Sequence, residues 1–134
     1  GGGSTGAELA AHLARKGVKV TLIEMTGSVA AAEDPSIQQF LAGEFQAHGV
    51  DVRTNTQVMQ ITKDTVQCLN LTNARPVNIP YKNLIIAAGV KSDNGLADEL
   101  EASGREVYRI GDCNNVGTVL EATERAARIV ERRF

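Results

Sequence analysis

The stretch Gly1-Gly2-Gly3-Ser4-Thr5-Gly6, read on through Ala7 to Lys16, Gly17 and Val18 to Glu24, decides the fold of this chain. It has the form G-x-G-x-x-G, which alone is a weak signal. Here it opens a helix-patterned run, passes through a glycine and enters a strand-patterned run ending in an acid, which together make a dinucleotide-binding fingerprint. Gly6, Leu9, Ala10 and Leu13 fall at i, i+3, i+4 and i+7, a helical face that a frayed terminus or flexible linker would not carry. Gly1 allows the tight turn, Gly3 lets backbone approach a pyrophosphate, and Gly6 lets the helix pack closely on the sheet. Ser4 and Thr5 are small residues suited to phosphate contact, where first-turn N–H groups face an anion. Glu24 would accept hydrogen bonds from the adenosine ribose hydroxyls, and a 2'-phosphate there would be repelled, which favours NAD over NADP.

Outward from this unit, the pattern predicts an α/β fold with a Rossmann-like three-layer parallel sheet. A first helix covers about Gly6 to Lys16, and Val18 to Glu24 is a strand. Met25 to Glu33 loops across the mouth of the nucleotide site. Asp34 offers an N-cap, Pro35 suits the first helical position, and Ile37, Phe40, Leu41 and Phe45 give one apolar face before Gly49. Val50 to Arg53 is the next strand. The period then changes to two, and Thr56 to Ile61, Thr65 to Leu71 and Val77 to Tyr81 read as an antiparallel meander. Leu84 to Ala88, ending at Gly89, is a continuous apolar run suited to a parallel strand buried on both faces. Beyond Val90 come a short helix over Leu96 to Ser103 with Leu96 and Leu100 inward, a strand over Glu106 to Ile110, and a helix over Thr118 to Arg133. On that last helix Val119, Ala122, Ala126, Ile129 and Val130 share a face.

The fingerprint normally follows a buried strand, and no such run precedes Gly1. The chain is therefore expected to be a piece of a longer protein. The gap beside Val18 to Glu24 should be filled by residues upstream, by a neighbouring chain or by the Val107 to Ile110 strand, because an open central edge would leave backbone unpaired.

The 134 residues fit one domain with enough material for a core, and 43% hydrophobic with 22% charged residues is ordinary globular composition. A net charge of -2 and a pI near 5.7, with no long basic block, argue against a nucleic-acid surface. The residues Arg125, Arg128, Arg132 and Arg133 alternate with Glu121, Glu124 and Glu131 as a solvated helix face. Cys68 and Cys113 lie far apart without a C-x-x-C, so buried reduced thiols are expected. No run is long enough for a membrane span and no signal peptide is visible, and a cytoplasmic chain is expected.

The order G-G-G-S-T-G-A-E-L-A, V-T-L-I-E-M, a meander, L-I-I-A-A-G, and V-Y-R-I-G-D-C with V-L-E-A resembles the pyridine-nucleotide part of two-dinucleotide-binding flavoproteins. It is most similar to the C-terminal half of the NADH:flavin oxidoreductases that include 2,4-dienoyl-CoA reductase, enoate reductase and trimethylamine dehydrogenase. The resemblance implies that residues 1–90 hold NAD(H) and that 91–134 close an FAD-binding domain. Gly111 and Asp112 would contact FAD, and Ala88-Gly89 would lie where a flavin is presented. Met25 and Val58 are counted with the cofactor-contacting residues. Glu8 would help place the nicotinamide, although a helix-start carboxylate favoured by the dipole is an equal reading. An FMN barrel and iron-sulfur cysteines are not in this sequence, so FMN and a cluster would belong to the parent outside it. The implied activity is hydride transfer from NADH to a flavin, towards reduction of an unsaturated carbonyl or acyl-CoA.

His12 and His48 lie on different elements, so no metal cluster or catalytic dyad is read, and no nucleophile motif is seen. Hydride transfer needs no acid or base on the nicotinamide side, since the cofactor carries the chemistry. The partners expected are the parent's flavin and substrate domains, with neither nucleic acid nor membrane, and a homo-oligomer left open. A regulatory or degenerate nucleotide-binding domain without redox activity is the alternative.

Overall fold

Gly3, extended at φ -64° and ψ 178°, precedes helix α1, Ser4–Arg15, so the helix begins two residues earlier than the apolar pattern suggests. The computed structural model describes residues 1–133; Phe134, the last residue of the expected closing segment, lies outside the described residues. The chain separates into two compact units, Gly1–Gly89 and a second from Val90 onward.

In the first unit, α1 is followed by strand β1, Thr21–Ile23, helix α2, Pro35–His48, and strand β2, Asp51–Arg53. β1 and β2 pair in parallel, with Leu22 opposite Val52. The sequence after β2 forms the expected meander, β3 at Thr56–Ile61, β4 at Thr65–Asn70 and β5 at Arg75–Pro80, all antiparallel. The register of β3 shifts between Val58 and Gln60, so Met59 bulges from the ladder.

The period of two along β1 makes three layers out of these parts. Leu22 is buried with Ala7, Ala10 and Ala11 of α1 and with Leu41 and Phe45 of α2. Its neighbour Ile23 packs instead against Val66, Cys68 and Ile79 of the meander. Helices, parallel pair and meander are thus stacked in that order, a Rossmann-like α/β arrangement.

Asp34 caps α2 as expected, its carboxylate accepting the Ser36 N–H at 2.9 Å, with Pro35 in the first turn and Gly49 left-handed at φ 68° beyond the end. Both helices are rotated from the faces read in the sequence. Ala7, Ala10, Ala11 and Ala14 are the buried line of α1, while Leu9 and Leu13 are half-buried. On α2, Leu41 and Phe45 are buried but Ile37 and Phe40 are exposed, Phe40 at 59%. Short alanines let α1 lie close to β1, and that close approach sets the rotation.

Two expected strands do not form. Leu84 to Ala88 carries no strand assignment and exposes Ile86 at 71%. A strand exists by its ladder, and this run finds no strand partner among the described residues. Glu106 to Ile110 is likewise without a ladder, so it does not fill the edge of β1, whose one paired strand among the described residues is β2.

The second unit holds helix α3, Gly95–Ala102, a 3-10 turn at Gly111–Cys113, and helix α4, Val119–Arg133. Arg109 ties the unit together, pairing with Asp98 at 2.8 Å and Glu101 at 2.6 Å. Leu96, expected inward, is 72% exposed, and Val119 and Val130 of the expected α4 face are exposed as well. A Cys113 thiol that is half-buried rather than buried completes the departures.

Candidate nucleotide site

The three fingerprint glycines do different work. A Cβ on Gly1 would overlap the Ala87 carbonyl oxygen, and one on Gly6 would overlap the Gly1 carbonyl oxygen. Those two positions are required by the fold itself, since backbone lies where the side chain would be. Gly3 is the opposite case. A Cβ there would meet nothing within 4 Å. The space over Gly3 is open, at the start of a helix whose first turn has no side-chain cap. Unpaired N–H groups of a first helical turn, with the dipole behind them, suit a phosphate anion.

Glu24 stands one residue beyond β1, its N–H donating to the Arg53 carbonyl at 2.9 Å and its own carbonyl accepting the Thr56 N–H at 2.9 Å. Its half-buried carboxylate reaches back into the glycine turn. Oε2 accepts the Gly2 N–H at 2.7 Å, and Oε1 accepts the Thr26 N–H at 2.7 Å and the Thr26 hydroxyl at 2.8 Å. Partial burial pushes this carboxyl up, but the hydrogen bonds from Thr26 and Gly2 outweigh it and hold the group below its ordinary value. The acid at the strand end is therefore ionised at neutral pH and fixed to the fingerprint turn.

The loop after Glu24 is anchored to the same turn. Ala30, buried and at φ 52°, donates its N–H to the Gly2 carbonyl at 2.7 Å. Ser4 donates its hydroxyl to Glu33. The sequence alone gave no sign of either contact, because Ala30 and Glu33 sit in a small-residue loop without a pattern.

Gly1, Gly3, Ser4, Gly6 and Glu24 are thus brought together, with Ala88 against Gly1, whose Cβ would lie 3.1 Å from the Ala88 Cα. Thr5 and Glu8 are exposed on α1, and Met25 is exposed beside Glu24. Val58 lies on β3 opposite Cys68, with its side chain exposed. Gly89 is left-handed at φ 92°. Gly111 and Asp112 belong to the second unit, where the Asp112 carboxylate accepts the Gly117 N–H at 3.2 Å. His12 and His48 are exposed, and among the described residues no cluster of three His, Cys, Asp or Glu could hold a metal. No described helix is long and apolar enough to cross a membrane.

A glycine turn open at its middle residue, next to an ionised acid at the end of a parallel strand, defines the class as a dinucleotide-binding fold. Residues 1–128 match the family described as pyridine nucleotide-disulphide oxidoreductase, and the chain belongs to that family. It is 32% identical over 114 residues to bilirubin reductase of Mediterraneibacter gnavus, covering 85% of this chain and 18% of that protein. Over 122 residues it is 31% identical to an NADH oxidase of Thermoanaerobacter brockii, covering 91% of this chain and 19% of that one. The solved complex of 2-naphthoyl-CoA reductase with 2-naphthoyl-CoA matches with a TM-score of 0.77 at 27% identity, over 91% of this chain and 18% of that one. The chain spans about a fifth of the length of these relatives.

Proposed function

We propose that this chain is the NADH-binding module of a flavin-dependent oxidoreductase whose whole protein passes hydride from NADH to a flavin. The observation that carries the reading is the pairing of an open Gly3 with the fixed, ionised Glu24. Gly3 and the first turn of α1 would hold the pyrophosphate, and Glu24 would hold the adenosine ribose. NADH supplies the hydride when bound, and this chain's residues position it and need supply no acid or base.

Membership of the family and the likeness to an NADH oxidase support a pyridine nucleotide as the ligand and an oxidoreductase as the parent. FAD in the parent is part of the same proposal, with Gly111 and Asp112 as its contacts in the second unit. The finer reading is reduction of an unsaturated carbonyl or acyl-CoA in an enoate reductase-like parent that also carries FMN and an iron-sulfur cluster. A relative named for 2-naphthoyl-CoA supports the acyl-CoA part. The remaining flavin and substrate domains of the parent are the proposed partners, and the cytoplasm its compartment.

Calorimetric titration with NADH tests the module. Because a Cβ at Gly3 would meet nothing within 4 Å beyond its chain neighbours, Gly3→Val is expected to leave the fold intact and to abolish measurable binding by filling the pyrophosphate space. Wild-type affinity in a folded Gly3→Val variant would refute the site.

A further inference from the structure

We propose that Thr26 is a positioning residue of this site, setting NADH affinity by holding the Glu24 carboxylate in its acceptor geometry; the inference rests on the dinucleotide reading above. An ionised carboxylate offers about four lone-pair positions. Three donors fill them in part: the Gly2 N–H on Oε2, and the Thr26 N–H and hydroxyl on Oε1. One position on Oε2 is left for a ribose hydroxyl. The second must come from Oε1.

Thr26 can release it. Its Oγ1 lies 2.8 Å from Glu24 Oε1 and also 3.0 Å from the Ser28 carbonyl oxygen. A hydroxyl has one proton and so donates to one acceptor at a time. When a ribose hydroxyl arrives at Oε1, the Thr26 proton turns to Ser28, and no donor or acceptor is left unpaired. Two adjacent positions then face the two hydroxyls of an adenosine ribose. Until the ribose arrives the Thr26 N–H and hydroxyl hold Oε1 together, and afterwards the ribose hydroxyl takes the place of the Thr26 hydroxyl, so two donors fix Oε1 at each stage. Thr26 thus spares the cofactor the ordering of a loose glutamate side chain, and affinity rises because the site is already arranged.

The charged groups around Glu24 are otherwise engaged. Asp51 and Arg53 of β2 pair with each other at 2.9 Å, and Glu33 of the following loop takes the Ser4 hydroxyl. The part of an acid limb in NADH binding that moves when the Thr26 hydroxyl is removed reports Glu24. Hydrogen bonding to its ionised form keeps that limb low, and losing the Thr26 hydroxyl moves it to higher pH.

The experiment titrates NADH and NADPH calorimetrically against wild type, Thr26→Val, Thr26→Ser and Gly3→Val across the acid range, with circular dichroism as a check on folding. Thr26 is exposed, so its variants are expected to fold. Thr26→Val should weaken NADH about 2- to 10-fold by loosening one side chain. It should leave NADPH nearly unchanged and shift the acid limb upward. Thr26→Ser, which keeps the hydroxyl, should restore both. Unchanged affinity and acid limb in Thr26→Val, or failure of Thr26→Ser to rescue, overturns the role of Thr26 while Gly3→Val still loses binding. Wild type that binds neither cofactor, or Gly3→Val that binds like wild type, overturns the dinucleotide reading and this inference with it.

Discussion

Glu24 does more than wait for a ribose, because its Oε2 already holds the Gly2 N–H inside the fingerprint turn. Replacing it would therefore remove the proposed ribose contact and an anchor of the fingerprint turn together. A hydrogen bond to a charged carboxylate is worth about 1.5 to 3 kcal/mol, which is roughly 10- to 150-fold in affinity. Glu24→Ala is expected to weaken NADH within that range in calorimetric titration. NADPH should weaken less, since relief of charge repulsion opposes the loosened turn, and the gap between cofactors should narrow. An unchanged ratio of the two affinities would mean that the acid is only a solvated strand end. The glycines and Glu24 were legible in the sequence because their spacing is fixed by the turn and by the length of helix plus strand. Thr26, Ala30 and Glu33 were not, because their contacts depend on how a patternless loop curls back over Gly2 and Ser4.

Helix caps and faces show the same division at the scale of elements. The start of α2 could be read residue by residue, since an Asx cap and a proline act locally. Hydrogen bonds from the Ser36 hydroxyl and N–H hold the Asp34 carboxyl below its ordinary value. A carboxyl lowered in the folded state gives stability that is present above its unfolded value and lost as pH falls through the folded one. Asp34→Ala is thus expected to lower the denaturation midpoint at neutral pH, and the difference from wild type should vanish in acid. A difference that stays constant through the carboxylate range would show that the ionised cap contributes nothing. The faces of α1 and α2 were less legible. Alanine satisfies an apolar pattern without declaring which side lies against β1, and only packing decides between the Leu9 and Ala10 sides. Leu84 to Ala88 was misread for a related reason: apolar composition describes a strand's surroundings, whereas the strand itself requires a partner ladder that local sequence does not contain.

Across the whole molecule, the meander followed from the change of period at Thr56, and the chain divides into its two compact units between Gly89 and Val90. The two units each carry one thiol, which makes them separately observable. Cys68 is buried in the first, and burial pushes its thiol up despite the nearby Arg53. Cys113 is half-buried in the second. Since the thiolate is the reactive form, brief iodoacetamide treatment followed by peptide mass spectrometry should find Cys113 modified well before Cys68, with Cys68 reacting only as the first unit opens. Equal rates at the two cysteines would contradict the burial of Cys68. The alternation of Leu22 and Ile23 also governs where this chain can change length through evolution. One added or deleted residue between Thr21 and Glu24 would turn the helix-facing side chain toward the meander, and would draw the carboxylate away from Gly2. The same change between Asn70 and Arg75, at the exposed tip joining β4 to β5, disturbs neither layer. Homologous sequences aligned to this one should therefore carry their gaps at that tip, and none across β1.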